Sequence, residues 1–273
     1  MNIIDTIERN FPSLSRQERK VALKVIQQPM DVKKMTISTL AKKTKVSTAT
    51  VTRFVKKVGC HDFSDLKLKL AEATSTVEKA TVPSTLPDQV TDFYNQIITE
   101  TWKKLDPLIL KEVALLIKNA PRIFIFGLGS SGYNSQEFAQ RLMRMGIDTF
   151  APSDSHMMYI TSSIMEKDDV LIVLSTSGKT GEINQAVELA KNSGVKIVSI
   201  TTFDSSPLAN LSNYKLLAKY SQFVDNTRFI NSQLGIVYII DVLSTILLQA
   251  PDYRNRYQLT VESMLSRKDN PYI

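Results

Sequence analysis

Residues 33–59 read KKMTISTLAKKTKVSTATVTRFVKKVG and contain eight lysines and arginines but no aspartate or glutamate. Thr36 and Ser47 each precede a run in which apolar residues recur at helical spacing, so the stretch predicts two short helices that begin after these residues. Gly59 is expected to end the second helix. The tight connection Lys45-Val46-Ser47 leaves little chain between the helices, and this pattern is typical of a helix-turn-helix.

The second of these helices, predicted over Thr48–Val58, has one apolar face and one polar face. Val51, Phe54 and Val55 recur at three- and four-residue spacing with Val58 and are expected to face the core. Short hydroxyl side chains can reach base edges and phosphates, and cations can neutralise phosphate charge. The predicted DNA-contacting residues are Ser47, Thr48, Thr50, Thr52, Arg53, Lys56 and Lys57.

The positive charge of the chain is concentrated in its first part. Residues 1–80 hold 16 lysines and arginines against 8 aspartates and glutamates, whereas the remaining residues hold 18 against 19. A basic region that coincides with a helix-turn-helix pattern indicates a polyanionic partner. We therefore expect double-stranded DNA to be the partner of the N-terminal region.

Composition narrows the class of protein. A chain of 273 residues with 43% apolar content can form two domains, and its single cysteine, Cys60, excludes an internal disulfide framework. His61 has no further metal-ligating neighbours in the sequence, so no metal site is expected. The first residues lack a signal-peptide pattern, and the longest apolar run, 234–248, is interrupted by Asp241. We expect a cytoplasmic protein that does not bind a membrane.

Local signals predict where the first domain ends. Ser15-Arg16-Gln17-Glu18 is a capping box that starts a helix, and Pro29 closes that helix. Residues 74–91 are rich in threonine, serine and proline, which is typical of a linker. We therefore predict a helix-turn-helix domain over 1–75, a linker over 76–91 and a second domain over 92–273, which begins with helices over Asp92–Leu105 and Pro107–Asn119.

Short apolar runs alternate with helical stretches in the second domain, and this alternation predicts a parallel sheet with helices on both faces. The predicted strands are Arg122–Phe126, Ile147–Phe150, Val170–Leu174, Lys196–Ile200 and Tyr214–Ala218. The predicted intervening helices are Ser135–Met145, Ser155–Met165 and Glu182–Asn192. The predicted fold class is therefore multidomain: an all-α domain followed by a three-layer α/β/α domain.

Two of the predicted strands are followed by loops rich in glycine and hydroxyl groups. The first loop is Gly127-Leu128-Gly129-Ser130-Ser131-Gly132, and the second is Ser175-Thr176-Ser177-Gly178-Lys179-Thr180. In parallel sheets, ligands bind beyond the carboxyl ends of strands, where the amides of helix N-termini attract anions. Hydroxyls and amides without a fixed cation suit the phosphate group of a small polar molecule.

Other interpretations of these loops stay open. Gly127-x-Gly129-x-x-Gly132 matches the glycine pattern of dinucleotide-binding proteins, but neither Asp148 nor Asp154 stands clearly at the end of the next strand, where that pattern has an acidic residue. Gly178-Lys179-Thr180 resembles the end of a P-loop, but the first glycine of that motif would fall on Val173, so this interpretation fails. Both loops could also be ordinary connections.

Taken together, the two halves resemble the RpiR family of bacterial transcriptional regulators, which join a helix-turn-helix to a sugar isomerase (SIS) domain. The resemblance covers nearly the whole chain. It depends on Met35-Thr36-Ile37-Ser38-Thr39-Leu40-Ala41, Val46–Phe54, Lys57-Val58-Gly59, the two hydroxyl-rich loops and Ser206-Pro207-Leu208-Ala209. It implies a flavodoxin-like SIS domain, a homodimer or homotetramer, and a phosphorylated sugar as the effector that controls binding to a DNA operator in carbohydrate metabolism.

The resemblance also implies which residues bind the effector. Phosphate-binding hydroxyls of similar domains match Ser131, Ser175, Ser177 and Thr180, with Ser130 and Thr176 adjacent to them. The candidate effector site is thus Gly129, Ser130, Ser131, Ser175, Thr176, Ser177, Gly178 and Thr180. His156 matches a histidine that is frequent in the family, whereas Lys179 takes a position that is often glutamate.

The expected function is that of a switch and not of an enzyme, with no catalytic residue and no cofactor. The alternative is a sugar-phosphate isomerase, which needs a general base beside the carbonyl carbon. Glu137 and Glu182 are candidates for that base, but no spacing singles either out. A nicotinamide-dependent oxidoreductase would depend on the glycine pattern alone.

Overall fold

In the computed structural model, which describes residues 3–74, 85–224 and 230–268, the chain divides into two units. The first unit consists of Met1–Ile97 together with Tyr220–Ser232, so it is discontinuous in sequence. The second unit consists of Ile98–Lys219 and Gln233–Ile273. A short segment that follows the last strand in sequence therefore packs with the N-terminal helices.

The first unit is helical. Its helices in the N-terminal part are α1 (Ile3–Asn10), α2 (Arg16–Gln27), α3 (Pro29–Lys34), α4 (Ile37–Thr44), α5 (Thr48–Lys57) and α6 (Phe63–Thr74), with a 3₁₀ turn at Phe11–Ser13. The predicted capping box is confirmed: the Ser15 hydroxyl accepts a hydrogen bond from the Glu18 amide at 3.3 Å, and a Glu18 carboxylate oxygen accepts one from the Ser15 amide at 2.8 Å. Leu40 of α4 and Phe54 of α5 are fully buried between the helices.

Helix α7 (Leu86–Trp102) begins six residues before the predicted Asp92 and ends before Leu105. The early start has a local cause: the Thr85 hydroxyl accepts from the Asp88 amide, and the Asp88 carboxylate accepts from the Thr85 amide. The C-terminal end of the predicted linker, 86–91, is therefore helical, and residues 75–84 of that region lie outside the described residues.

The second unit contains a five-stranded parallel sheet in the order β2-β1-β3-β4-β5. The elements that follow α7 are α8 (Pro107–Asn119), β1 (Ile123–Phe126), α9 (Ser130–Arg144), β2 (Thr149–Phe150), α10 (Ser155–Ser162), β3 (Val170–Leu174), α11 (Gly181–Asn192), β4 (Lys196–Thr201), α12 (Pro207–Leu211), β5 (Tyr214–Leu217), α13 (Ser221–Val224), α14 (Leu234–Leu247) and α15 (Pro251–Lys268). Of these, α13 belongs to the first unit. The predicted three-layer α/β/α fold is confirmed.

Strand β1 shows how the three layers form. Ile123 and Ile125 pack into the core shared with α8, α9 and α14, whereas Phe124 and Phe126 pack into the core shared with α10, α11 and α12. Alternate residues of a strand point to opposite faces, so an apolar run such as Ile123–Phe126 is satisfied only when both faces are covered. This explains why the predicted strands β1 and β3–β5 match the observed ones to within one residue.

The predicted bounds fail where a local cap ends or begins an element. β2 is shorter than the predicted Ile147–Phe150 because the Ile147 amide still donates to Leu142 O at the end of α9. α9 begins at Ser130 and not at Ser135, since Gly129, with φ 57°, turns the chain directly into the helix. α10 ends at Ser162 instead of Met165.

In the described ranges, no single helix is long and apolar enough to cross a membrane. Helices α14 and α15 reach that length and hydropathy only when they are counted together across a bend of 109°. Ile236, Ile239 and Leu243 of α14 are buried against the sheet. The long apolar run at 234–248 is thus a core helix of the second unit.

Candidate DNA-binding surface and effector site

The helix-turn-helix is built from α4, a short turn and α5. Thr36 caps α4 by accepting from the Thr39 amide at 3.1 Å, and Ser47 caps α5 by accepting from the Thr50 amide at 3.2 Å. Between them, Lys45 takes a left-handed backbone conformation with φ 53°, the one such non-glycine residue among the described residues. Val46 is half-buried beside the turn. The predicted caps are therefore confirmed, and they set the direction in which α5 leaves the turn.

The outer face of α5 is polar, as predicted. Val51, Phe54, Val55 and Val58 are buried. The predicted DNA-contacting residues that are exposed are Ser47, Thr48, Thr52, Arg53, Lys56 and Lys57. This face presents hydroxyls near its N-terminal end and cations further along.

The prediction that Thr50 lies on the outer face is wrong. Only 6% of its surface is exposed, because it lies four residues before Phe54 on the same side of the helix. Its hydroxyl is hydrogen-bonded to the Ser47 hydroxyl at 3.0 Å and accepts a hydrogen bond from the Arg53 guanidinium at 3.2 Å. The buried Thr50 hydroxyl therefore orients the exposed Arg53 side chain.

Lys57 is exposed, but its ammonium group forms an ion pair within the unit. Its Nζ lies 2.8 Å from the carboxylate of Glu18 on α2, and the Glu18 side chain is only 3% exposed. Burial alone would raise the pKa of Glu18, but hydrogen bonds from Lys57 and Ser15 outweigh it and hold the pKa below its ordinary value. The same carboxylate thus completes the capping box of α2 and binds α5, a long-range role that no local pattern indicates.

The first hydroxyl-rich loop joins the carboxyl end of β1 to α9. A Cβ on Gly127 would overlap the Ser135 hydroxyl and lie 2.6 Å from Ser131 O, and a Cβ on Gly132 would lie 2.9 Å from Gly127 O. These glycines let α9 begin directly on the strand end, which accounts for the glycine pattern without a dinucleotide. Ser130 is exposed and Ser131 is buried, both in the first turn of α9.

The second loop follows β3, which is paired with β1 in the sheet. Gly178 has φ +62°, and a Cβ there would overlap the Ser206 side chain, so the turn requires glycine. Ser177 is exposed, Thr176 and Thr180 are half-buried, and Ser175 is buried. Both loops therefore lie at the same edge of the sheet, at the β1/β3 position where the strand order reverses and where ligands of such sheets bind.

Gln233, which no sequence pattern singled out, joins the two loops. It is 7% exposed. Its Oε1 accepts from the Ser131 hydroxyl at 3.1 Å and from the Asn134 amide at 3.3 Å, and its Nε2 donates to the Thr176 hydroxyl at 2.9 Å. Its position just before the apolar helix α14 is the one signal in the sequence that could have drawn attention to it.

The other candidate residues stand apart from this arrangement. His156 is exposed in the first turn of α10, and His61 belongs to the first unit. The carboxylate of Glu137 accepts a hydrogen bond from Arg141. In the described part of the chain, no three His, Cys, Asp or Glu side chains are grouped as metal ligands.

Comparison with known proteins places the chain among regulators. A family model described as "Helix-turn-helix domain, rpiR family" matches residues 1–77, and a model of the SIS domain matches residues 116–245. An HTH-type transcriptional regulator of Clostridium perfringens is 32% identical over 256 residues, which cover 90% of this chain and 91% of that protein. The chain belongs to the RpiR family of transcriptional regulators.

Solved structures agree with this assignment. This RpiR-family regulator is similar to the NanR protein of Vibrio vulnificus in its complex with ManNAc-6P, with 27% identity and a TM-score of 0.62 over 98% of this chain and 100% of that chain. The sugar isomerase domain of an RpiR transcription factor from Sphaerobacter thermophilus has the same fold, with 20% identity and a TM-score of 0.59 over 67% of this chain and 99% of that chain.

Proposed function

We propose that this regulator binds operator DNA through the outer face of α5 and that a phosphorylated sugar, bound between the loops after β1 and β3, controls its affinity for the operator. The observation that carries the proposal is the convergence of two hydroxyl-rich loops, each leading into a helix N-terminus, at one edge of the sheet. Support comes from NanR, a relative over nearly the whole chain, which was solved with ManNAc-6P.

The loops suit a phosphate ester chemically. The first amides of α9 and α11 have no acceptor within their own helices, so they can donate to an anion. Ser130 and Ser177 are exposed and offer hydroxyl donors from the two loops. Ser175 and Thr180 would complete the phosphate site from the β3 side, and the sugar ring would extend outward from the phosphate.

On the DNA side, Arg53 and Lys56 would contact phosphates or base edges, with Thr48 and Thr52 beside them on the exposed face. We propose that the chain acts on DNA in the cytoplasm as a homodimer, since helix-turn-helix proteins read two half-sites with two copies of the helix. A homotetramer of two such dimers would satisfy the same requirement.

We also propose that the chain is a regulator without isomerase activity, although its SIS domain is of a kind also present in isomerases. An isomerase needs a base that reaches the carbon beside the carbonyl. Of the two carboxylates considered, Glu137 is bound to Arg141, and Glu182 lies exposed in the first turn of α11. Incubation of the chain with hexose and hexosamine 6-phosphates should leave each sugar unconverted.

The effector half is tested by thermal shift with a panel of hexose and N-acetylhexosamine 6-phosphates that includes ManNAc-6P. A true effector should raise the melting temperature in proportion to the logarithm of its excess over its dissociation constant. Ser177→Ala should abolish the shift, whereas Ser193→Ala, an exposed serine just after the opposite end of α11, should retain it. Equal shifts in the two variants would refute the assignment of the site.

The DNA half is tested with duplexes that the wild-type chain selects from a random pool. Lys56→Ala should weaken binding and reduce the slope of log affinity against log salt by about 0.9, the value for one phosphate contact. Lys191→Ala removes an equal charge from the last turn of α11 in the second unit and should leave both unchanged. If the two substitutions had the same effect, the surface of α5 would not be the DNA-binding surface.

A further inference from the structure

Two carbonyl oxygens of the loop after β3 are bound by groups from outside that loop. Thr176 O accepts hydrogen bonds from the Thr202 amide at 3.2 Å and from the Thr202 hydroxyl at 2.6 Å, because Thr202 directly follows β4, the neighbouring parallel strand. Gly178 O accepts from the Leu208 amide at 3.1 Å and from Asn184 Nδ2 at 3.3 Å. Each of these carbonyl oxygens therefore has two donors that fix its direction.

The segment Ser206-Pro207-Leu208-Ala209 supplies one of these donors. The Ser206 hydroxyl accepts from the Ala209 amide at 3.2 Å and so begins α12, which places the Leu208 amide against Gly178 O. Ser206 and Leu208 are fully buried. This segment, which the sequence comparison with the RpiR family singles out, thus supports the loop after β3.

The fixed carbonyl of Thr176 determines where the next amide points. In a trans peptide unit, the C=O of one residue and the N–H of the next residue point in opposite directions. Thr176 O faces Thr202, so the Ser177 amide points away from Thr202. Among the described residues, none accepts a hydrogen bond from the Ser177 amide. This amide is therefore available to an anion.

The fixed carbonyl of Gly178 acts on the Ser177 hydroxyl in a similar way. The amide of the same peptide unit, that of Lys179, points in the opposite direction and donates to Ser177 Oγ at 3.2 Å. A serine hydroxyl that accepts from an amide keeps its own proton for another acceptor. Ser177 is exposed, so its proton and its amide can both reach a ligand.

We propose that Thr202 and Asn184 are positioning residues of the effector site. They keep the two carbonyl oxygens of the loop away from the effector phosphate, whose negative charge a carbonyl oxygen would repel, and they present the amide and the hydroxyl of Ser177 to it. The inference rests on the proposed function, since it needs a phosphate at the loop after β3. It assigns a role to two residues that need not touch the effector.

The test measures the dissociation constant for a sugar phosphate by isothermal titration calorimetry with the full chain. The probe is ManNAc-6P or, if another compound of the thermal-shift panel binds the wild type more tightly, that compound. Thr202→Val keeps the shape of the side chain but loses the hydroxyl donor, whereas Thr202→Ser keeps the donor. Thr161→Val is the matched control, because Thr161 is 5% exposed and its hydroxyl also donates to a backbone oxygen, that of Met157, at 2.8 Å.

Thr202→Val should bind the sugar phosphate about tenfold or more weakly than wild type, as expected when one hydrogen bond that orients the site is lost. Thr202→Ser and Thr161→Val should stay within about threefold of wild type. Both valine variants lose a buried hydroxyl, so a general loss of stability would appear in both melting temperatures. The loss of affinity should appear in Thr202→Val alone.

Asn184→Ala separates positioning from stability. In the part of the chain that the structure describes, Asn184 Oδ1 is buried and has no hydrogen-bond partner, so alanine removes an unsatisfied acceptor together with the bond to Gly178 O. We therefore expect the melting temperature of the unliganded variant to match that of wild type. Its affinity for the sugar phosphate should nevertheless fall by about fivefold.

Wild-type affinity in Thr202→Val, or an equal loss in Thr202→Ser, would overturn the role of Thr202. Wild-type affinity in Asn184→Ala would overturn the role of Asn184. If Thr202→Val does not fold, Asn184→Ala decides the inference, since weaker binding at an unchanged melting temperature supports it and unchanged binding overturns it. These outcomes leave the proposed function intact, whereas a wild-type chain that binds no sugar phosphate would refute the proposed function itself.

Discussion

The ion pair between Glu18 and Lys57 gives the sharpest prediction for the DNA-binding unit, and Glu18→Gln is the change that isolates it. Glutamine at this position can still accept from the Ser15 amide, so the capping box survives. What is lost is the charge that binds Lys57 at 2.8 Å. Because Lys57 is 48% exposed, solvent screens the pair, and its loss should cost only about 1 kcal/mol of unfolding free energy.

The same change should alter DNA binding in the opposite direction. With Glu18 neutral, the full charge of Lys57 becomes available to a phosphate, so the slope of log affinity against log salt should steepen by up to about 0.9. Urea denaturation of the full chain, monitored by circular dichroism, measures the change in the free energy of unfolding. Fluorescence anisotropy with a selected duplex at salt concentrations from about 50 to about 300 mM measures the salt slope.

The pH dependence has a definite sign. Folding lowers the pKa of Glu18 from its ordinary value of 4.5. The carboxylate therefore stabilises the folded chain fully at pH values above 4.5, and this stabilisation is lost as the pH falls from 4.5 through the pKa of the folded state. Glu18→Gln should remove this part of the acid sensitivity. In a double-mutant cycle with Lys57→Met, an interaction energy near zero together with an unchanged salt slope would refute the ion pair.

Three further substitutions follow from the geometry. Lys45→Gly should raise the free energy of unfolding by about 1 kcal/mol, since Lys45 has φ 53°, and a drop in the urea midpoint would contradict this. Gly178→Ala should destabilise the chain by about 1–3 kcal/mol, because the added methyl group would collide with the Ser206 side chain. The distorted loop should also lose the thermal shift with the sugar phosphate, and unaltered binding would show that the turn tolerates alanine. Asp169→Asn should lower the free energy of unfolding by about 2 kcal/mol, because the buried Asp169 carboxylate accepts two hydrogen bonds from Arg122. Thermal melting measures this change, and a value below about 0.5 kcal/mol would contradict the prediction.

The parts of the fold that were predictable from the sequence are those whose cause is local. The capping box at Ser15, the cap at Ser47 and the strands β1, β3, β4 and β5 depend on residues within one element, and their positions match the structure. The start of α7 also has a local cause in Thr85 and Asp88, which could have been found by searching for a threonine-based capping box. The length of β2 depends on where α9 ends, so the strand predicted from apolar residues alone was too long.

The two loops were predictable because glycine and hydroxyl residues cluster directly after strands, whereas the residues that join the loops were not. Gln233 is 102 residues from Ser131, and Lys57 is 39 residues from Glu18. Neither pair follows a periodicity or a spacing. The membership of Tyr220–Ser232 in the first unit is likewise a tertiary property, because nothing in the composition of that segment distinguishes it from a loop of the sheet.

Residue type alone does not separate the groups that contact a ligand from the groups that hold them in place. Thr52 is exposed on the outer face of α5, where its hydroxyl donates to Thr48 O at 3.1 Å, whereas Thr50 is buried and its hydroxyl accepts a hydrogen bond from Arg53. The two residues are of the same type and lie on the same helix. Burial distinguishes them, and for Thr50 the helical period already indicated it, since Thr50 is four residues from the fully buried Phe54. The face of the helix on which each hydroxyl lies therefore determines whether its substitution removes an exposed group or loosens the neighbouring residue to which it is bonded.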